Sequence, residues 1–98
     1  MYGTIARLKV KPGMLAQLRQ QNAQVAAELA TSGFVFEHTY QSAGDETEVW
    51  MAVGFTSRDA YQKNAESPEQ HERYTKLRAL LDADPEWHDG EVIDSFPS

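Results

Sequence analysis

The chain has 98 residues, a formal charge of −6 from 15 acidic against 9 basic side chains, and no cysteine. That length predicts one domain over residues 1–98 with a modest core that gains from association. The acidic balance offers no basic face to nucleic acid, and the lack of cysteine removes disulfides and thiolate chemistry and fits a reducing cytoplasm.

Tyr2 to Val10 alternates, with Ala6, Leu8 and Val10 on one side and Ile5, Arg7 and Lys9 on the other, which predicts a strand with one apolar face. This strand pattern follows Met1 directly, so no signal peptide is expected. No apolar run approaches the roughly 20 residues that cross a bilayer, so a membrane is not an expected partner. Lys11-Pro12-Gly13 turns the chain into a helix, because proline is tolerated in a first helical turn. Leu15, Leu18, Asn22, Val25 and Leu29 recur at three and four residues and give that helix one buried stripe. It runs to about Thr31, and Ser32-Gly33 stops it.

Phe34 to Gln41 is rich in aromatic and β-branched residues and predicts a second strand. Ser42 to Glu46 is a polar hairpin loop. Glu48 to Phe55 is a third strand whose continuous apolar run predicts cover on both faces. Ser57 caps a second helix; Glu66-Ser67-Pro68-Glu69 interrupts it, and Ser67 caps a continuation to about Asp82. Asp84 to Gly90 reads as a turn in which Trp87 acts as a hydrophobic plug or dimer contact, and Gly90 to Phe96 as the last strand.

The order is β-α-β-β-α-β, which predicts an α+β, ferredoxin-like antiparallel sheet with both helices on one face. The other face also carries apolar residues, Ile5 among them, and a second copy packed sheet on sheet is the simplest cover.

Three polar residues interrupt the inner stripe of the second helical region: Asn64, His71 and Tyr74. Offsets of seven and three residues return to nearly one face. A buried polar group without a partner costs about 1–3 kcal/mol, so these side chains bond within the core or hold a ligand. Asn22 interrupts the first helix's stripe in the same way, and Thr4 and Ala6 on the first strand are expected to border the same cavity. Trp50 on the third strand reads as core or as a wall for a ligand. His38 is a second base candidate if its face of the strand lines the cavity, and an interface residue if that face meets a partner. His71 has two readings: a proton acceptor, with an ordinary pKa near ~6.5, or a helix histidine bonded to Glu72 or Asp59. The three histidines form no metal motif, and dispersed glycines form no phosphate loop, so no metal or cofactor is expected.

The segments Gly3-Thr4-Ile5-Ala6-Arg7-Leu8-Lys9-Val10-Lys11-Pro12-Gly13, Gly33-Phe34, Val49-Trp50-Met51-Ala52-Val53, Phe55, Ser57-Arg58-Asp59-Ala60-Tyr61 and Ser67-Pro68-Glu69-Gln70-His71 resemble, in order and spacing, the antibiotic biosynthesis monooxygenase family. The resemblance implies a dimeric α+β barrel. Members that oxidise polyphenolic anthrones use an asparagine and a tyrosine ten residues apart on the second helix, which Asn64 and Tyr74 match; their tryptophan four residues after the asparagine is replaced by Pro68. The positions of the haem-degrading branch are occupied by Ala6, Asn64 and Tyr74, none of which matches, and the iron-binding histidine is lost. What the resemblance implies is a cofactor-independent monooxygenase of a small phenolic, quinol or polyketide-like aromatic using O₂. In that chemistry Asn64 and Tyr74 would hold the phenolate and His71 or His38 would take its proton. The alternative is a non-catalytic homodimer that binds a small hydrophobic ligand or a partner.

Overall fold

Strand β1 (Tyr2–Lys9) alternates along its length, with Thr4, Ala6 and Leu8 buried and Ile5, Arg7 and Lys9 exposed. It belongs to an antiparallel four-stranded sheet in a computed structural model that describes residues 1–97. The strands lie in the order β2-β3-β1-β4, with β2 at Phe34–Ser42, β3 at Asp45–Phe55 and β4 at Glu86–Glu91. Helices α1 (Leu15–Glu28), α2 (Arg58–Ala65) and α3 (Pro68–Arg78) complete a ferredoxin-like βαββαβ arrangement. The second helical stretch is divided where proline removes a backbone donor. Each half is capped by a serine hydroxyl, Ser57 accepting from the Ala60 N–H and Ser67 from the Gln70 N–H, both at 3.1 Å.

The core lies between the helices and one face of the sheet. Ala6, Leu8, Val10, Leu18, Val49, Met51, Leu80 and Leu81 pack into one cluster. Burying each large apolar side chain contributes about 1.5–3 kcal/mol. Val10 forms a bridge with Leu81, fixed by Lys11 N–H to Leu80 C=O and Asp82 N–H to Lys9 C=O, both 2.9 Å. That bridge ties the end of the last helix to the first strand.

Several boundaries differ from those the sequence predicts: β3 begins at Asp45, inside the expected loop, α3 ends at Arg78 rather than near Asp82, and β4 ends at Glu91 rather than Phe96. The last strand begins at Glu86, within the expected turn, because β1 offers a free edge: Trp87 pairs with Ala6, and Arg7 meets the Glu86 carboxylate at 2.8 Å. Helix α1 stops at Glu28, and the chain turns through Gly33, whose φ of 84° suits a residue without a β-carbon.

Strand β2 carries a bulge. Phe34 pairs with Phe55 and Phe36 with Gly54, so Val35 is one residue more than β3 provides. The bulge puts Phe34 on the helix side, whereas simple alternation would group it with Phe36, His38 and Tyr40. On the opposite face two rows cross the sheet, His38–Ala52–Ile5–His88 and Tyr40–Trp50–Arg7–Glu86. Within one chain no helix covers this face; Ile5 and Tyr40 are 52% and 63% exposed. The continuous apolar run of β3 is therefore covered by helices on one side only.

Candidate functional site

The helices do not close completely over the sheet. Between them lies a cavity of about 440 Å³, within the range of small-molecule sites. Its floor is the helix-facing side of the sheet, including Met51, Val53 and Phe55; α1 contributes Asn22, Val25 and Leu29; α2 and α3 form the roof. Phe34 stands edge-on to Phe55, with ring centroids 5.9 Å apart, and walls one end.

Five of the sequence-designated residues line this cavity: Thr4, Asn22, Asn64, His71 and Tyr74. Ala6, also expected at the cavity, is instead fully buried in the core cluster, and two further residues do not line it. Trp50 and His38 point to the opposite face of the sheet, because they share parity with Arg7 and Ile5 rather than with Thr4 and Ala6. The Trp50 indole N–H instead donates to Glu48 at 3.3 Å.

The polar roof is partly self-satisfied. Asn64 donates from Nδ2 to Gln70 Oε1 and accepts from Arg73 Nη1, both at 3.4 Å. Arg73 is itself paired with Glu28 at 2.9 Å, so its charge is largely answered before any ligand arrives. His71 stands exposed at the cavity mouth. Asn22 Nδ2 reaches only the Met51 sulfur, at 3.9 Å, a weak acceptor.

At one end of the floor the Tyr61 hydroxyl donates to Asp89 at 2.8 Å. Burial first, and then the bond to the Asp89 carboxylate, push the Tyr61 phenol up to about 12, so it stays a neutral donor. Thr4 lies near enough to oppose that shift weakly, but the pair does not meet hydrogen-bond geometry. Thr4 is only 8% exposed, and its Oγ1 is buried without a partner among the described residues. Such a hydroxyl is costly unless something bonds to it.

At the other end stands Glu37. Its carboxyl is pushed above the ordinary carboxylate range, and burial alone is responsible; no hydrogen bond or charge offsets it. Sequence reasoning passed over Glu37, Tyr61 and Asp89. Glu37 sits between aromatics on a strand, and its side was hidden by the bulge. The signal for Tyr61 was available, since it lies three residues before Asn64 on the same helical face. Trp87 is a correction: it is 45% exposed and lines the cavity at Ala6, rather than plugging the core. A second depression of about 630 Å³ between the end of α1 and α2 is an open groove that shares Leu29, Asn64 and Arg73 with the cavity wall. Among the described residues no three acidic or histidine side chains converge on a metal position, and no helix is long and apolar enough to cross a membrane.

The model of the antibiotic biosynthesis monooxygenase family matches residues 1–76. Among solved structures, an asparagine-to-alanine variant of SnoaB, a cofactor-independent oxygenase from Streptomyces nogalater, is 21% identical at a TM-score of 0.83, covering 99% of this chain and 97% of that one. A protein from Mycobacterium tuberculosis is 20% identical at a TM-score of 0.78, covering 97% of each chain. A conserved protein from Methanosarcina mazei is 17% identical at a TM-score of 0.79, covering 91% of this chain and 89% of that one. At these identities the likeness establishes the fold. No curated protein matches the chain by sequence.

Proposed function

Because the chain belongs to the antibiotic biosynthesis monooxygenase family, we propose that it is a cofactor-independent monooxygenase that uses O₂ on a small phenolic, quinol or polyketide-like aromatic. One observation carries the reading: a largely apolar cavity of about 440 Å³ whose lining includes the hydroxyl and amide groups of Tyr74 and Asn64, with its one arginine, Arg73, already paired to Glu28. Such a lining suits a flat neutral aromatic with oxygen substituents. The fold likeness to SnoaB, a cofactor-independent oxygenase, agrees with it.

In this reading the substrate is its own electron donor. Loss of a hydroxyl proton leaves a delocalised anion, which passes one electron to O₂. The resulting radicals combine into a peroxide at a ring carbon. For an anthrone, that CH₂ carbon becomes a carbonyl with one oxygen atom, and the other leaves as water. The protein supplies position and stabilisation of the oxyanion: Asn64 Nδ2 and the Tyr74 hydroxyl are the donors. His71 stands at the entrance and contacts the substrate as it enters.

We further propose that the working form is a homodimer joined through the uncovered sheet face, where Ile5, Tyr40 and Val35 are exposed. An apolar patch of this kind marks an association surface, and the two-fold arrangement leaves both cavities open. One observation favours the rival reading of a dimeric module that only binds: the Asn64 amide is already engaged by Gln70 and Arg73. Oxygen uptake separates the two. The oxygenase reading expects stoichiometric O₂ consumption with an anthrone or a naphthohydroquinone above the non-enzymatic rate. Tight binding without uptake across such a panel overturns it.

A further inference from the structure

Across the cavity floor one row of side chains runs Glu37–Val53–Thr4–Asp89, set by strand register. Adjacent strands lie about 4.8 Å apart, so the Glu37 and Thr4 positions are about 10 Å from each other with apolar Val53 between them. Asp89 is committed to the Tyr61 hydroxyl. Thr4 Oγ1 is enclosed and unpartnered. Glu37 is the carboxylate of this row that nothing answers, and Arg73 on the roof is answered by Glu28. The floor thus offers one unanswered carboxylate at the end of an apolar plate whose other end is the enclosed Thr4 hydroxyl, and no free cation lines the cavity among the described residues.

We propose that Glu37 is the catalytic proton acceptor, taking the hydroxyl proton of a neutral aromatic substrate that lies on Val53. The step is a proton transfer alone. The substrate O–H bond breaks, the proton goes to a Glu37 carboxylate oxygen, and the electron pair stays on the substrate oxygen. Burial makes the carboxylate a stronger base than a solvated one, which favours the transfer. The same arrangement sets the substrate class. A ligand carrying a carboxylate at this position would face Glu37 without a counter-ion, so neutral hydroxy-aromatics are accepted and their anionic analogues rejected. The chemistry rests on the oxygenase reading; the recognition rests on the floor row alone.

The test is calorimetric titration of 1-naphthol and 1-methoxynaphthalene, which differ in the hydroxyl hydrogen. Wild-type protein should bind the naphthol about tenfold more tightly, the scale of one charge-assisted hydrogen bond. Glu37→Gln, which keeps a neutral acceptor, should narrow that ratio, and Glu37→Met, which keeps the length without an acceptor, should bring it near one. An equal ratio in all three proteins shows that the methyl group is rejected by shape and overturns the proposal. So does a wild-type ratio near one, or no naphthol binding at millimolar concentration; these two need no variant. Oxygen uptake with a naphthohydroquinone is measured beside it. A ratio that depends on Glu37 without any uptake overturns the oxygenase reading but leaves Glu37 as the hydroxyl acceptor. Uptake that survives undiminished in Glu37→Met overturns Glu37 and leaves the oxygenase reading standing.

Discussion

The Phe36 ring lies directly over Gly54 on the uncovered face, so close that a β-carbon on the glycine would stand 2.2 Å from ring Cε2. Gly54 pairs in turn with Gly3, and Gly3 with Gly90, so three glycines form a flat shelf beside the ring. Gly54→Ala should therefore turn Phe36 outward and roughen the face proposed to meet a second copy. Ile5→Asp places a charge in the middle of it. Sedimentation should give a dimer for the wild type and a monomer for Ile5→Asp, with Gly54→Ala weakened in between. A wild-type monomer at micromolar concentration removes the dimer.

Tyr74→Phe and Asn64→Ala should each lower oxygen uptake more than they lower melting temperature. Removing one oxyanion donor costs about 3–4 kcal/mol of transition-state stabilisation. Asn64 also holds Gln70 and Arg73, so its variant should lose some stability as well, about 1 kcal/mol per bond. Parallel loss of melting temperature and turnover in Tyr74→Phe would mark that residue as structural.

The Tyr61 phenol is held near about 12, above its ordinary 10.0. A raised acid contributes stability that is full below its unfolded pKa and is lost as pH rises through the folded value. Wild-type protein should therefore lose stability between about pH 10 and about pH 12 through this group. Tyr61→Phe should be less stable by about 1 kcal/mol at neutral pH and should converge with wild type across that alkaline window. Denaturant melts at several pH values read this directly; a constant difference would show that burial and Asp89 do not hold the Tyr61 phenol above its ordinary value.

Asp45 behaves in the opposite sense. Its carboxylate accepts from the Thr47 hydroxyl at 2.7 Å and the Thr47 N–H at 2.9 Å, and meets Lys9 at 3.1 Å. The Thr47 bonds come first in holding it down, to about 2 from 3.8. The stability it contributes is present above the ordinary value and lost as pH falls through the folded one. Asp45→Asn should be destabilised at neutral pH and should approach wild type below about pH 3. A gap unchanged down to pH 2 would sink this account of the hairpin.

The fold was legible because its signals are local and repeated. The alternation of β1, the stripe of α1 and the Ser67-Pro68 break each survive in the structure. The roof of the cavity was legible for the same reason, since helical spacing brings Asn64, His71 and Tyr74 to one side. The floor was not. Which side of β2 faces inward depends on one unpaired residue, and which residues of β4 face inward depends on pairing with a strand some eighty positions away in sequence. Glu37 and Asp89 were hidden by those two long-range facts, and His38 and Trp50 took a place in the reading that belongs to their neighbours.

The bulge at Val35 also determines how this strand tolerates changes in length. Residues on either side of it already point where plain alternation of a shorter strand would send them: without Val35, Phe34 would adjoin Phe36 directly and the two would still face opposite sides. The strand thus carries a spare residue at its entry. A chain lacking Val35 would keep Phe34 and Glu37 inward and Phe36, His38 and Tyr40 outward, whereas a deletion within the paired run that follows would exchange the cavity wall for the uncovered face.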